Sequence, residues 1–207
     1  MRTRRPAALL RSSLLDAAEA EFAAHGFDAA STRRLAERAG AHQPQINYHF
    51  STKEQLWRET VDRLFADLDA ALADGPVAGD GASVLGSVVE RFLRFSARRP
   101  SLNRIINLEA SAPSPRLDWL VDVHLGPRFA QVAEGWAALR AAGGGADLAP
   151  EEVWAIVTSF GALHFANAPM LTRLGDGHAV TTDQQIARTL GLLGLPAPSR
   201  PGGTGGD

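Results

Sequence analysis

The chain has 207 residues, 45% of them hydrophobic, and a formal net charge of −2, so it is long enough to bury a sizeable core and carries no overall bias towards a polyanion. It contains no cysteine, which excludes a disulfide framework and a thiolate metal site and fits the reducing cytoplasm, where we expect the protein to act. No apolar run approaches the roughly 18 residues of a membrane span, and the arginine-rich start lacks the apolar core of a signal peptide. We therefore expect no membrane partner.

The first predicted helix covers about residues 6–24 and ends at residues 25–26. The apolar side chains that recur there at helical spacing are Leu10, Leu14, Ala18 and Phe22. Residues 31–53 then predict two short helices joined by a turn at Gly40, where glycine adopts a positive φ without penalty. Pro44 suits the first turn of the second helix, where no N–H is needed. Because a helix of about six or seven residues is unstable alone, it must pack by one face and leave the other free, as in a helix-turn-helix.

Several blocks of this segment resemble the DNA-binding domain of TetR-family transcriptional regulators. They are residues 32–40 (TRRLAERAG), residues 46–50 (INYHF) and residues 53–56 (KEQL), and residues 22–27 match the end of that family's first helix. The resemblance spans about residues 8–57, roughly a quarter of the chain. It implies a three-helix DNA-binding domain, and the rest of the chain is similar to the family only in length and helical character.

The resemblance also implies a set of DNA-contacting residues. Base- or backbone-facing positions are Arg33, Gln43, Pro44, Gln45, Asn47 and Tyr48, and phosphate-contacting positions are Thr32, His49 and Lys53. His42 is included, although it stands where many members have a small capping residue, as Asn47 stands where many have tyrosine. By their chemistry, the Gln43 and Gln45 amides suit adenine and the Arg33 guanidinium suits guanine. The alternative is that these side chains form only a polar exposed face.

The start of the chain is basic. Its first eleven residues hold four arginines and no acidic residue, which predicts an arm that contacts phosphates or the minor groove. The alternative is a solvated, disordered end.

The remainder of the chain predicts further helices and no strand, so we expect an all-α fold. A long helix begins near residue 52, and residues 74–81 form a loop. The helices that follow cover about residues 82–99, 102–110, 115–142 with a kink or break at 126–127, 150–174 and 182–193. We predict a helix-turn-helix domain at residues 1–52, a larger helical effector-binding and dimerisation domain at 53–195, and a disordered tail at 196–207.

A ligand site is predicted from polar or aromatic side chains on apolar stripes, because a buried polar group needs a partner. These residues are Glu109, Trp119, His124, Trp136, His164 and Asn167. Each has an alternative interpretation as a hydrogen-bonded residue of the core or of a subunit interface. Their separations do not match the spacing of metal ligands, so we expect no metal site.

The last two helices predict a dimer interface, because they carry more apolar side chains than one small core needs. The predicted residues are Trp154, Val157, Phe160, Gly161, Phe165, Ile186, Leu190 and Leu193. One short recognition helix covers few base pairs, and tight binding uses two half-sites related by two-fold symmetry. The alternative is that these residues complete the core of the monomer.

The chain contains no motif that indicates catalysis, since it lacks HExxH, GxSxG, a P-loop and GxGxxG. We therefore predict no enzyme and no cofactor. The prediction is a homodimeric, ligand-responsive transcriptional repressor, released from a palindromic operator in double-stranded DNA by a small-molecule effector. One alternative is a DNA-binding regulator without such an effector, controlled by a protein partner or by abundance. Another is an all-helical enzyme with a vestigial helix-turn-helix.

Overall fold

The computed structural model describes residues 7–74, 79–175 and 177–196, and every regular element in those residues is helical. This confirms the all-α prediction. The first six residues of the basic arm, the centre of the predicted loop at 75–78, and the tail beyond residue 196 lie outside the described residues. None of the described helices is long and apolar enough to cross a membrane.

The helices follow one another with short connections. In chain order they are α1 (Ala7–Ala29), α2 (Thr32–Ala39), α3 (Gln43–His49), α4 (Lys53–Ala73), α5 (Gly81–Arg98), α6 (Pro100–Glu109), α7 (Pro115–Leu120), a π-helical turn (Val121–Leu125), α8 (Gly126–Ala141), α9 (Pro150–Ala155), a second π-helical turn (Ile156–Ala162), α10 (Leu163–Ala166), α11 (Ala168–Leu174) and α12 (Thr182–Leu192).

The chain forms two compact units. Within the described residues, unit one consists of residues 7–69 and 101–119, and unit two of residues 70–100 and 120–196. Unit one is thus larger than the predicted domain of residues 1–52, which remains a prediction about the segment that contacts DNA.

The helix-turn-helix in unit one is built by local capping and by a buried apolar face. Ser31 caps the start of α2, and Gly40 ends it with a left-handed φ of 65°. Pro44 lies in the first turn of α3, as predicted. The side chains that anchor the two helices are buried: Leu35, Ala36, Ala39, Ile46 and Phe50.

Helix α1 contains a kink at Gly26, the position where the sequence predicts that the first helix ends. Gly26 has φ 70° and ψ −180°, a backbone conformation that is essentially restricted to glycine. The helical geometry therefore breaks at the predicted position, and a second short helical stretch follows the kink and ends at Ala29.

Unit two contains the predicted kink and one break that was not predicted. Ahead of Pro127, the Gly126 N–H donates to Val121 O five residues earlier, so the irregularity is a π-helical turn. The single helix predicted over residues 150–174 is wrong, because the chain leaves helical geometry at Asn167. Pro169 explains the break, since a proline has no N–H and its ring crowds the carbonyl four residues earlier.

Candidate nucleic-acid interface

Helix α3 presents one face to the interior of unit one and the other to solvent. Ile46 is 3% exposed and fixes the inner face. Gln43, Asn47 and Tyr48 lie on the exposed side, with Tyr48 83% exposed. A large aromatic side chain that stays in water is unusual in a monomer, and it suits a surface that meets a partner.

The start of α3 is closed by a hydrogen bond that the side chain of its third residue accepts. Gln45 Oε1 accepts the His42 N–H at 2.8 Å, and the Gln45 N–H donates to His42 O at 2.9 Å. This satisfies N–H groups at the start of the helix that have no helical partner. Gln45 is half-buried and its carbonyl oxygen is committed to the cap, which sequence reasoning did not anticipate.

The start of α2 depends on a buried carboxylate that sequence reasoning missed. Glu21 is 1% exposed, and its Oε1 accepts from the Ser31 N–H at 2.9 Å and from Arg34 Nε at 2.8 Å. Burial raises the pKa of Glu21, but the hydrogen bonds from Arg34 and Ser31 outweigh it and hold that pKa below the ordinary value of 4.5. Glu21 therefore ties α1 to the residue that caps α2.

Two further contacts order the surface near α3. Gln43 Nε2 donates to Thr32 Oγ1 at 3.3 Å, which links the predicted base-reading glutamine to the start of α2. Arg33 Nε donates to Glu37 Oε1 at 3.0 Å, but both side chains are largely exposed, so Arg33 is free to exchange this partner for a nucleic acid.

Lys53 is held more tightly than a simple phosphate-contacting lysine. Its Nζ donates to Asp28 O at 3.1 Å and lies 4.8 Å from the centre of the Phe27 ring. Burial lowers the pKa of Lys53, and the nearby Asp28 charge opposes that shift. Its ammonium group therefore also stabilises the end of α1.

None of the ten predicted DNA-contacting residues is buried. They lie in α2, in α3 and its N-cap, and at the first residue of α4: Thr32, Arg33, His42, Gln43, Pro44, Gln45, Asn47, Tyr48, His49 and Lys53. All ten residues are therefore at least partly accessible, as contact with DNA requires. The contacts themselves remain a prediction.

The predicted ligand residues are divided between the two units. Glu109 and Trp119 belong to unit one, whereas His124, Trp136, His164 and Asn167 belong to unit two. Trp136 is 1% exposed within the core of unit two, and its Nε1 donates to Leu148 O at 2.8 Å, so it fills the core. Asn167 is exposed at the helix break, which corrects its predicted place on a continuous stripe.

The two histidines of this set are at least half-buried. His124 is 8% exposed in the first π-helical turn. Burial lowers the pKa of His164, and the positive charge of Arg188 lowers it further. Neutral imidazole is therefore favoured at His164. Among the described residues, no three His, Asp or Glu side chains come together as metal ligands.

The predicted dimer interface requires a correction. Ile186, Leu190 and Leu193 are at most 1% exposed and pack in the core of unit two with Leu93, so they have no surface left for a second copy. Gly161 is buried as well. Trp154, Val157, Phe160 and Phe165 keep partial exposure, and Phe160 is 44% exposed.

A short exposed helix on a buried scaffold, preceded by a capped helix and a tight glycine turn, defines a helix-turn-helix DNA-binding domain. Residues 14–60 match the family model of bacterial regulatory proteins of the tetR family. The N-terminal domain of this chain is therefore a TetR-family domain, as its sequence indicates.

Solved structures share the fold over most of the chain. A TetR-like transcriptional regulator from Rhodococcus sp. RHA1 is 19% identical, with a TM-score of 0.67, covering 91% of this chain and 96% of its own. A TetR-family transcriptional regulator from Haemophilus influenzae is 16% identical, with a TM-score of 0.61, covering 92% and 99%. The haemolysin II transcriptional regulator HlyIIR is 16% identical, with a TM-score of 0.68, covering 92% and 100%. A comparison with curated protein sequences gave no match.

Proposed function

We propose that this protein is a sequence-specific transcriptional regulator of the cytoplasm, a repressor that binds a palindromic operator as a homodimer and is released by a small molecule. The exposed face of α3 supports the DNA-binding part of this proposal. Gln43, Asn47 and Tyr48 are exposed on that face, and Ile46 anchors the opposite face in the interior. Such a helix fits the major groove of DNA.

Base reading is assigned first to Gln43, because its amide is exposed and its present partner, Thr32 Oγ1, is a weak acceptor at 3.3 Å. Gln45 contributes through its amide nitrogen, since its oxygen caps the helix. Arg33 gives up Glu37 for a guanine or a phosphate, and Lys53 and His49 position the domain on the backbone.

Dimerisation is assigned to the partly exposed residues of the second π-helical turn and the helices beside it. Phe160 is 44% exposed, and Trp154, Val157 and Phe165 are half-buried beside it in sequence. A second copy would cover this apolar surface and bring a second α3 to the DNA.

The experiment compares operator binding of Gln43→Ala and Gln45→Ala by fluorescence anisotropy. Gln184→Ala is the matched control for Gln45, because Gln184 Oε1 closes the start of α12 in the same way, accepting the Thr181 N–H at 2.9 Å. We expect both α3 variants to relax the preference at one base pair, at a cost of about 1–3 kcal/mol, while Gln184→Ala keeps it. Equal losses on operator and random DNA would contradict the base-reading assignment.

A regulator without a small-molecule effector is the second candidate, favoured by Trp136, which is 1% exposed and donates its Nε1–H to Leu148 O within the core of unit two. The two candidates are distinguished by adding small molecules to the preformed complex with operator DNA and measuring whether the DNA is released. A compound that releases operator DNA at saturation supports the first candidate, because a ligand shifts an equilibrium only by its differential affinity for the two states.

A further inference from the structure

The side-chain amide of Gln45 is held in one orientation at the start of α3. Gln45 Oε1 accepts the His42 N–H at 2.8 Å. A backbone N–H group only donates, so the amide atom that faces it must be the oxygen, and the nitrogen must point elsewhere. The cap therefore decides which end of the Gln45 amide is available to a DNA base.

The available end is Gln45 Nε2. Within the described residues this nitrogen has no hydrogen-bond partner, and it is not a buried atom, so it is accessible to solvent. Gln45 as a whole is half-buried, and it lies in α3 between Gln43 and Asn47, whose side chains are exposed. An amide nitrogen carries two hydrogens and accepts none. Gln45 thus presents only hydrogen-bond donors to a partner.

Gln43 is held in a different way. Its Nε2 donates to Thr32 Oγ1 at 3.3 Å. A hydroxyl group both donates and accepts, so Thr32 can hold either end of the Gln43 amide. Gln43 therefore keeps the ability to offer a donor and an acceptor together, as bidentate contact with adenine requires, whereas Gln45 lacks it as long as it caps the helix.

Reading adenine with both amide atoms of Gln45 would break the cap. Oε1 would have to leave the His42 N–H, which has no carbonyl partner at the start of a helix. Helix α3 has only seven residues, and a helix this short depends on its caps and its packing. A base that accepts from Nε2 leaves the cap intact, and a side chain that is already held loses less freedom on binding.

The four bases present different groups in the major groove. Guanine presents two acceptors, N7 and O6, and thymine presents one, O4, whereas adenine and cytosine each present an amino group that would oppose the Gln45 amino group. We infer that Gln45 reads guanine through Nε2 while its Oε1 caps α3. The adenine predicted for Gln45 from the sequence assumes a free amide. Because it requires α3 to lie in the major groove, this inference rests on the proposed function.

Exchanging the outward nitrogen for oxygen tests the assignment. In Gln45→Glu, one carboxylate oxygen keeps the bond from the His42 N–H, and the other presents an acceptor in place of Nε2. Both full-length proteins select from random double-stranded DNA. The parent protein should prefer guanine over adenine by about 5- to 150-fold at one position per half-site. Gln45→Glu should prefer cytosine there, because its carboxylate accepts from cytosine N4.

Two further variants complete the experiment. Gln45→Met has neither amide atom, so the position that loses its preference in this variant is the one that Gln45 reads. Gln184→Glu is the matched control, because Gln184 Oε1 accepts the Thr181 N–H at 2.9 Å in the same kind of cap in unit two, and it should leave the selected sequence unchanged. Without DNA, Gln45→Met should lower the thermal midpoint through loss of the cap, and Gln45→Glu should not.

Failure of this inference is distinct from failure of the proposed function. Adenine at the Gln45 position, guanine retained by Gln45→Glu, or an unchanged selection by Gln45→Met would each overturn guanine reading and leave the DNA-binding function standing. An unchanged thermal midpoint in Gln45→Met would overturn the cap on which the orientation depends. If the parent protein enriches no sequence at all, the proposed function is overturned and guanine reading with it.

Discussion

Replacing Glu21 by glutamine removes one charge from the centre of the helix-turn-helix while keeping the shape of the side chain. Glu21 is 1% exposed and holds both the Ser31 N–H and the Arg34 guanidinium, with Arg34 NH2 at 2.6 Å. Glutamine can still accept the Ser31 N–H, but it places an amide NH₂ group where a carboxylate met a cation.

The expected loss of stability depends on how exposed Arg34, the partner of Glu21, is. Breaking a fully buried ion pair costs about 3–5 kcal/mol, but the Arg34 side chain is 51% exposed and water recovers part of that loss. We expect Glu21→Gln to lower the free energy of unfolding by about 2 kcal/mol, which is about 4–8 °C in Tm for a chain of this size. Glu37→Gln is the control, because its pair with Arg33 is largely exposed and should contribute less than about 0.5 kcal/mol.

The pH dependence separates charge from shape. The pKa of Glu21 is lowered in the folded state below its ordinary value of 4.5, so its contribution is complete above that pH and is lost as the pH falls through the folded pKa. In urea unfolding curves, the gap between the parent protein and Glu21→Gln should be constant above about pH 5.5 and should narrow below about pH 4.5. A gap that stays unchanged at pH 3, or equal effects of Glu21→Gln and Glu37→Gln, would show that the Glu21 charge does not stabilise the fold.

Three other substitutions have expected outcomes. Gly26→Ala should destabilise the fold by about 1–3 kcal/mol in thermal unfolding because its φ of 70° excludes a side chain, whereas Gly191→Ala, where nothing lies within 4 Å, should not destabilise it. Gly161→Ala should cost about 1–3 kcal/mol because its Cβ would lie 2.7 Å from Leu93 Cδ2, and an unchanged urea midpoint would contradict this. Lys53→Ala should weaken binding about equally on operator and random DNA and flatten the salt dependence, and a loss confined to the operator would contradict a backbone role.

The helix-turn-helix could be predicted closely because its signals are local. Gly40 supplies the left-handed residue that ends α2, and Pro44 supplies the first turn of α3. Each effect depends only on neighbouring residues in the sequence. Glu21 could not be assigned in the same way. An acidic residue next to the apolar stripe of α1 is visible in the sequence, but its partner Arg34 is 13 residues away, across a helix end that spacing does not fix.

The C-terminal half shows what apolar periodicity leaves open. Ile186 and Leu190 recur at helical spacing whether they face their own core or a second copy, and only the fold shows that they are buried within one chain. Pro169 indicates the break at Asn167 locally, but the long run of apolar residues at helical spacing led to the prediction of one continuous helix. Phe22 and Arg116 line one cavity although they lie more than 90 positions apart, a separation that no periodic pattern in the sequence spans.

The most direct test of DNA recognition is selection from random double-stranded DNA at near-physiological salt, followed by sequencing of the retained fragments. We expect one enriched near-palindrome, with half-sites about one helical turn or somewhat more apart, and loss of preference at one base pair per half-site in Gln43→Ala. Retention without enrichment, falling uniformly as salt rises, would contradict sequence-specific binding by α3.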